Sequence, residues 1–384
     1  MKSLLKRFGQ ILLVVVLLLA AVAVWKRAEI GRLWAVNTLF APDRIVQNFS
    51  HMDRMFLTVP LPSGNGPPSE LPTGPAATLS PAAQAWIKDR AVTGLVILKD
   101  GHLVHQSYYL GTGPQDLRIS WSMAKSLLSA LFGVVMAEGK IGSLDDQVTK
   151  YAPQLTGSAY DGVTIRNVLN MASGVRFNED YLDFWSDINQ MGRVLALGFS
   201  MDSFAAKLSE REVNPGTAWH YVSIDTHVLG MVIRGATGES ITHLMVEKII
   251  KPMGLEADPY YVTDGRGQPF VLGGLNMRTR DYARIGQMIL QKGFWNGRQI
   301  VPADWIMAAT TPSAPGGALY GYQFWIPPNQ TPGEVMAQGI YGQYIYINPS
   351  LNVVIAVNAA DTGFEDPGVE DGNIAMLRAV AAGL

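Results

Sequence analysis

The sequence has no cysteine among its 384 residues and only six histidines. The lack of cysteine excludes a thiol nucleophile, a cysteine-ligated metal and any disulfide bond. The histidines are scattered, and His102 and His105, which share a predicted strand, have no carboxylate companion at a known metal-binding spacing, so we expect no metal or other cofactor. Charged residues make up 16% of the chain and the net charge is −2, which gives no reason to expect nucleic acid as a partner.

The Gly-x-Ser-x-Gly pattern is also absent. That pattern marks the nucleophile elbow of Ser-His-Asp hydrolases built on a mainly parallel sheet, so its absence argues against that class. The sequence is instead rich in hydrophobic residues, at 48%, and contains 39 glycines and 22 prolines, a composition that is neither disordered nor fibrous. Its length suits one large domain, or two closely joined ones, with a sizeable core.

An apolar run occupies residues 11–25 and has basic residues on both sides. The flanking residues are Lys2, Lys6, Arg7, Lys26 and Arg27. This arrangement predicts an export signal or a membrane anchor over residues 1–30. We favour an uncleaved inner-membrane anchor with the rest of the chain on the periplasmic, extracytoplasmic side, because Trp25 and two basic residues make cleavage after Ala23 unfavourable. Secretion after cleavage is the alternative.

The domain organisation is predicted from composition. Residues 60–75 are rich in proline, glycine and serine, so residues 31–79 are interpreted as an extended arm or linker. Compact structure is expected from about Ser80, as one domain over residues 80–384. No internal repeat is visible.

Two hairpins and one helix are predicted within that domain. Strands at 93–98 and 103–109 surround the turn Asp100-Gly101, and strands at 343–347 and 353–357 surround residues 348–350. An apolar helix spans residues 122–138 and ends at Gly139. Strands at both ends of the domain, with helices between, favour one sheet built from both ends of the chain and an inserted helical region.

Ser122 and Lys125 lie at the start of the apolar helix, within Trp121-Ser122-Met123-Ala124-Lys125-Ser126. Residues three apart share a helix face, so the two side chains would be neighbours. A serine hydroxyl needs a base to become a good nucleophile, and burial lowers the pKa of a lysine enough to provide one. By itself the Ser-x-x-Lys pattern is common, and an ordinary helix with a serine and a lysine is the competing interpretation. A lysine at the start of a buried helix favours the interpretation of Ser122 and Lys125 as a nucleophile and its base.

Two further segments contain candidate site residues. A Pro215-Gly216 turn leads to Tyr221, which could pass a proton to a leaving group near the Ser–Lys pair. Residues 337–343, with glycines at 339 and 342, precede a strand, and their backbone N–H groups could complete an oxyanion hole with that of Ser122. A packed tyrosine and an ordinary glycine-rich turn are the competing interpretations.

Taken in order, these segments resemble the serine β-lactamase and penicillin-binding-protein superfamily from about residue 93 to 357. The segments that carry the resemblance are Ser122-x-x-Lys125, residues 163–174 (VTIRNVLNMASG), Tyr221-x-Ser223 and residues 273–281 (GGLNMRTRD). Within it, the sequence is similar to the esterase-like branch that includes 6-aminohexanoate-dimer (nylon oligomer) hydrolases. That similarity rests on Trp121, Glu179-Asp180-Tyr181, Tyr221-x-Ser223-x-Asp225-Thr226 and Ala337-Gln338-Gly339.

The resemblance implies a fold and a set of site residues. The fold is α/β in the broad sense (α+β), β-lactamase/transpeptidase-like, with a central antiparallel sheet flanked by helices and an inserted all-helical region. The site lies between the sheet and that region. The implied residues are Ser122 as nucleophile, Lys125 and Tyr221 as proton-transfer pair, backbone N–H of Ser122 and Ile340 as oxyanion hole, and Tyr181, Ser223, Gln338 and Gly339 as substrate-binding residues.

Two departures from the β-lactamases shape the predicted activity. Ser223 stands where class C β-lactamases have asparagine, and Ala337-Gln338-Gly339 stands where they have Lys-Thr-Gly. The missing cation removes a partner for a substrate carboxylate. We therefore predict a serine hydrolase that cleaves ester or amide bonds of small substrates through an acyl-enzyme. A β-lactamase or D-Ala-D-Ala peptidase, and a non-catalytic membrane-anchored binding protein with the same fold, remain the alternatives. No oligomeric state is predicted.

Overall fold

The structure is a computed structural model that describes residues 2–384, with side chains from Leu4 onward. Its α-helices are α1 (Lys2–Trp25), α2 (Arg27–Thr38), α3 (Ile45–Asn48), α4 (Pro81–Asp89), α5 (Met123–Ala137), α6 (Ile165–Leu169), α7 (Asp187–Leu197), α8 (Met201–Lys207), α9 (Ser223–Thr237), α10 (Ile241–Met245), α11 (Lys251–Met253), α12 (Thr279–Leu290), α13 (Ala303–Ala309) and α14 (Val369–Ala382). Its strands are β1 (Thr58–Pro60), β2 (Val92–Lys99), β3 (His102–Tyr108), β4 (Arg118–Ile119), β5 (Tyr260–Val262), β6 (Leu275–Met277), β7 (Phe294–Trp295), β8 (Arg298–Gln299), β9 (Val335–Gly339), β10 (Gln343–Asn348) and β11 (Val353–Ala359). A π-helical turn, Val246–Ile250, joins α10 to α11.

The main sheet is antiparallel and has the order β3-β2-β11-β10-β9. Both predicted hairpins are present, β2–β3 around Asp100-Gly101 and β10–β11 around residues 349–352. The strand β11 pairs with β2, so strands from both ends of the domain form one sheet, as predicted. Every residue of β10 and β11 is buried, because helices cover both faces.

Helices α4 and α14 pack on one face of this sheet, and α5 and α12 pack on the other. Gly286 allows α12 to lie flat on the strands. A Cβ atom at that position would come within 2.5 Å of Val354 Cγ1 and 2.7 Å of Ile345 Cγ2. The helical segment α6–α11 follows α5 in the chain and packs beside it. The predicted fold, a sheet flanked by helices with an inserted helical region, is confirmed.

Residues 31–60 differ from the expected extended arm. Helix α2 packs along α7, and the Arg32 side chain donates a hydrogen bond to Ala196 O at 2.7 Å. Strand β1 pairs with β5 in a second sheet of order β1-β5-β6-β4, with Thr58 opposite Val262. Phe49 is fully buried in the core. Compact structure therefore begins well before Ser80, because these residues bury apolar side chains against parts of the chain distant in sequence.

Helix α1 stands apart from this core. Its segment Leu4–Trp25 has 22 residues and a mean hydropathy of 2.7, and its apolar residues are not buried against the rest of the protein. Among the described residues it is the one helix long and apolar enough to cross a membrane. Those properties suit a membrane anchor and a signal sequence alike.

Candidate active site

Ser122 is the residue immediately before α5. The preceding Trp121 has a φ of +42°, in the left-handed region that a bulky residue rarely adopts. Its ring packs against Phe40 and Phe49, with centroids 5.6 and 5.5 Å away, and these contacts hold the turn in place. Strained backbone of this kind persists where the surroundings enforce it, often at functional sites.

Lys125 lies one turn into α5 and is 1% exposed. Its Nζ atom donates hydrogen bonds to Ser122 Oγ and to Leu272 O, both at 2.8 Å. Burial lowers the pKa of Lys125 from 10.5 to about 7, and the Glu179 carboxylate opposes this shift. Near neutral pH a large fraction of Lys125 is therefore uncharged and able to accept a proton.

Tyr221 lies just before α9, with its ring centroid 5.2 Å from Lys125 Nζ. The ring packs on Trp325 and Tyr320, at centroid distances of 5.2 and 6.3 Å. Burial raises the pKa of Tyr221 well above its usual value, the Glu179 carboxylate adds to the rise, and the hydroxyls of Ser122 and Ser223 oppose it. The geometry thus brings Tyr221 to the Ser–Lys pair and favours its protonated form. Of the two, Lys125 is the group that loses its proton near neutral pH, whereas the Tyr221 hydroxyl keeps its own.

The turn after β9 lies directly against the backbone of Ser122. A Cβ atom at Gly339 would come within 2.6 Å of Ser120 O and 3.0 Å of Ser122 N, so only glycine fits. Ile340 follows at once and lines the same space as Ser122. Within residues 2–384 neither the Ser122 nor the Ile340 amide donates a hydrogen bond to a backbone carbonyl of a turn or loop.

Glu179 also belongs to this cluster of side chains, and the sequence analysis assigned it no role. Its carboxylate accepts hydrogen bonds from Ser223 Oγ, from Ser223 N at 2.9 Å and from Tyr181 Oη at 2.7 Å. The Glu179 carboxylate thereby caps the N-terminus of α9, where the first backbone N–H groups have no acceptor within the helix. Its place two residues before Tyr181, in a segment that carried the family resemblance, was the available signal.

The residues expected to bind substrate are placed around Ser122 in two groups. Tyr181 and Ser223 both bond Glu179, and Ser223 is buried. Gln338 lies on the other side, where its Nε2 donates to Glu370 at 3.3 Å while its Oε1 is buried without a partner among the described residues. The hydroxyl protons of Tyr181 and Ser223 are both donated to Glu179, whereas Gln338 Oε1 has no such partner; the Tyr181 side chain lines both cavities described below.

Two cavities meet at Ser122. One, of about 270 Å³, is lined mainly by apolar side chains. The other, of about 500 Å³, is a polar cleft whose lining includes Tyr221 and Gln338. Ser122 and Ile340 line both.

In residues 2–384 no group of three or more histidine, aspartate or glutamate side chains is arranged to hold a metal ion.

Comparison with known proteins decides the family, because residues 83–379 match the profile of the Beta-lactamase family. The chain belongs to the Beta-lactamase family. Over 297 residues it is 27% identical to the 6-aminohexanoate-dimer hydrolase of Paenarthrobacter ureafaciens, covering 73% of this chain and 75% of that protein. A solved structure provisionally named as a 6-aminohexanoate-dimer hydrolase from Bacillus anthracis superposes with a TM-score of 0.79 at 23% identity, covering 89% and 95% of the two chains. A D-stereospecific amidohydrolase from Streptomyces superposes with a TM-score of 0.57 at 20% identity, covering 76% and 99%.

This member of the Beta-lactamase family lacks a cation at the position where the resemblance to class C enzymes would place one. Ala337 is fully buried in β9, and the neighbouring Gln338 faces the polar cleft. The described lining of that cleft contains no lysine or arginine, while it contains Glu365, Asp366 and Glu370. A substrate carboxylate therefore meets no positive partner there. Membership in this family, together with relatives named as hydrolases, supports a hydrolase.

Proposed function

We propose that the protein is a serine hydrolase that cleaves ester or amide bonds of small substrates through an acyl-enzyme on Ser122. The observation that carries the proposal is the 2.8 Å hydrogen bond between Lys125 Nζ and Ser122 Oγ, made by a buried lysine whose pKa lies at about 7. An uncharged lysine in this position is the base that a serine nucleophile requires.

The proposed reaction has two halves. Ser122 Oγ attacks the substrate carbonyl carbon, Lys125 accepts the hydroxyl proton, and the amides of Ser122 and Ile340 hold the negative oxygen. The bond to the leaving group then breaks, and the proton reaches the leaving oxygen or nitrogen through Tyr221. In the second half a water molecule attacks the acyl carbon and Lys125 accepts the water proton. The bond from that carbon to Ser122 Oγ then breaks, Lys125 returns the proton to Ser122 Oγ, and the acid product leaves.

Esters and non-β-lactam amides are the proposed substrates, as for a protein similar to a 6-aminohexanoate-dimer hydrolase. A charge-assisted hydrogen bond to a carboxylate is worth about 1.5–3 kcal/mol, and Ala337 cannot supply it. We expect kcat/KM on a chromogenic butyrate ester to exceed that on a chromogenic cephalosporin. A preference for the cephalosporin would favour the β-lactamase or D-Ala-D-Ala peptidase alternative instead.

The proposal is tested by labelling with a fluorophosphonate probe. The intact protein is treated, digested and analysed by mass spectrometry, and the adduct is expected on Ser122. Ser122→Ala should show no labelling and no esterase activity, whereas Ser126→Ala, which changes a buried serine of the same helix whose hydroxyl bonds Gln323 O, should still be labelled. An adduct elsewhere contradicts the proposal, and the absence of any labelling supports the non-catalytic binding protein.

We also propose that α1 anchors the enzyme in a membrane with the catalytic domain on the extracytoplasmic side. The support is the length and apolar character of Leu4–Trp25 and the basic residues beside it. The expected result is full-length protein in the membrane fraction at its intact mass. Intact protein in the soluble fraction would contradict the anchor, and a mass that lacks the first residues would show cleavage.

A further inference from the structure

The apolar cavity beside Ser122 has walls from two widely separated parts of the chain. Helix α2 contributes Val36, and the residue Phe40 follows it. Helix α7 contributes Ile188 and Leu195 from the opposite side. The segment that precedes residue 83, where the family match begins, is thus part of the site. The wall formed by α2 belongs to a segment outside that match.

The position of Tyr221 decides which half of the substrate this cavity receives. Ser122 and Ile340 line both cavities, so the scissile carbonyl lies between them. Tyr221 lines only the polar cleft within the described residues, and the leaving group must lie on the side of its proton donor. The acyl part of the substrate is then directed into the apolar cavity.

We infer that the apolar cavity binds the acyl chain, and that the substrates are esters or amides of medium-length, uncharged acyl groups. The inference rests on the proposed function of Ser122 and adds its substrate class. A cavity of about 150 Å³ accommodates benzene, so 270 Å³ holds a chain on the order of eight to ten carbons. Leu182 and Phe184, which also line the cavity, are 77% and 50% exposed and continue its apolar surface outward.

The one cation in the described lining of this cavity, Arg193, disfavours a positively charged acyl chain. Its Nη1 donates to Phe184 O at 2.8 Å, and its guanidinium carbon lies 4.5 Å from the Phe184 ring centroid. Its Nη2 is buried without a hydrogen-bond partner among the described residues. An ammonium group at the end of an acyl chain would meet this like charge in a poorly hydrated space. The cavity therefore suits an alkyl chain better than an aminoalkyl chain.

The test measures kcat/KM of the full-length enzyme in detergent on two ester series. In the first, the acyl chain grows from acetyl to dodecanoyl with p-nitrophenol as a constant leaving group. Each methylene buried in the transition state is expected to raise kcat/KM by up to about fourfold. We expect a rise of at least tenfold from acetyl to octanoyl, followed by a fall. In the second series the acyl group stays acetyl and the alcohol chain grows.

Gly192 on α7 offers a way to fill the cavity. A Cβ atom there meets only Val36 Cγ1, at an ordinary 3.6 Å, so a leucine side chain is accommodated and takes the space of roughly four carbons. Gly192→Leu should lower the octanoyl-to-acetyl ratio of kcat/KM at least tenfold without altering the profile of the alcohol series. The matched control, Gly372→Leu, changes an exposed glycine of α14 with no atom within 4 Å and should leave the ratio unchanged. Val36→Phe fills the cavity from the opposite wall and repeats the test if Gly192→Leu does not fold.

Each outcome separates the inference from the proposed function. A flat or falling acyl series, with Ser122-dependent acetyl hydrolysis intact, overturns the inference alone. A Gly192→Leu effect on the alcohol series instead of the acyl series also overturns it, because the cavity would then receive the leaving group. Loss of acetyl hydrolysis in the wild type, with no labelling of Ser122, contradicts the proposed function itself.

Discussion

Replacing the buried lysine should make the protein more stable at neutral and acidic pH while it destroys the proposed activity. The pKa of Lys125 is lowered from 10.5 to about 7 on folding, so the unfolded chain binds more protons between these values. Folded-state stability then rises with pH across that window, and the full penalty is present below pH 7. The gap between the two pKa values corresponds to about 5 kcal/mol.

Lys125→Met removes this penalty and keeps most of the side-chain volume. It also leaves Leu272 O without its donor at 2.8 Å, which costs about 1–3 kcal/mol. We therefore expect the variant to be about 2–4 kcal/mol more stable than the wild type at pH 6. The advantage should shrink by about 1.4 kcal/mol per pH unit above pH 7 and vanish or reverse by pH 10.

Chemical denaturation of the full-length protein in detergent, followed by tryptophan fluorescence from pH 6 to pH 10, measures this difference. Lys140→Met is the control, because it makes the same substitution at an exposed lysine just beyond the same helix and leaves the buried site intact. If Lys125→Met is less stable than the wild type at pH 6, or if the difference does not change with pH, Lys125 is not the uncharged buried base that the mechanism needs.

Three further predictions concern the surroundings of Ser122. Gly339→Ala should lower kcat by about 10²–10³-fold with a smaller change in KM, because the new Cβ atom meets Ser120 O and displaces the turn that carries the Ile340 amide. Unchanged steady-state kinetics would contradict the proposed oxyanion hole. Glu179→Gln should move the acid limb of the pH–kcat/KM profile to lower pH, because the carboxylate raises the pKa of Lys125; a limb that stays in place or moves upward would refute that coupling. A hexanoyl ester should have a higher kcat/KM than the 6-aminohexanoyl ester, and Arg193→Met should reduce this difference in kcat/KM. Hydrolysis assays with the two esters in competition would measure it. Equal kcat/KM values for the two esters would contradict the repulsion assigned to Arg193.

The part of the site that was predictable from sequence depends on local geometry. Ser122 and Lys125 are three residues apart on one helix, so their contact follows from the helix itself. The two hairpins were predictable for the same reason, since Asp100-Gly101 and the polar turn before Val353 lie between short apolar strands. The position of Tyr221 was supplied by the ordered set of motifs rather than by its own neighbours in the sequence.

The remainder depends on contacts between distant segments. Residues 31–60 contain proline and little regular pattern, and only their pairing with β5 and their packing on α7 show that they belong to the folded domain. The role of Glu179 depends on Ser223, which is brought to it by the fold. The apolar cavity likewise has no local signal, because its walls come from α2 and α7, and their apolar residues resemble ordinary core positions in the sequence.

The pairing of β2 with β11 also determines when the domain can fold. Ile97 lies opposite Ile355, so the centre of the main sheet joins residues about 260 positions apart in the chain. On a ribosome, β2 and β3 emerge long before their partner and wait as a two-stranded ribbon, which is marginal in water. The apolar α1, which we propose as a membrane anchor, emerges earlier still, so under that proposal the membrane-insertion machinery can bind it throughout that interval. The order of synthesis thus allows the chain to be targeted while its main sheet is still incomplete.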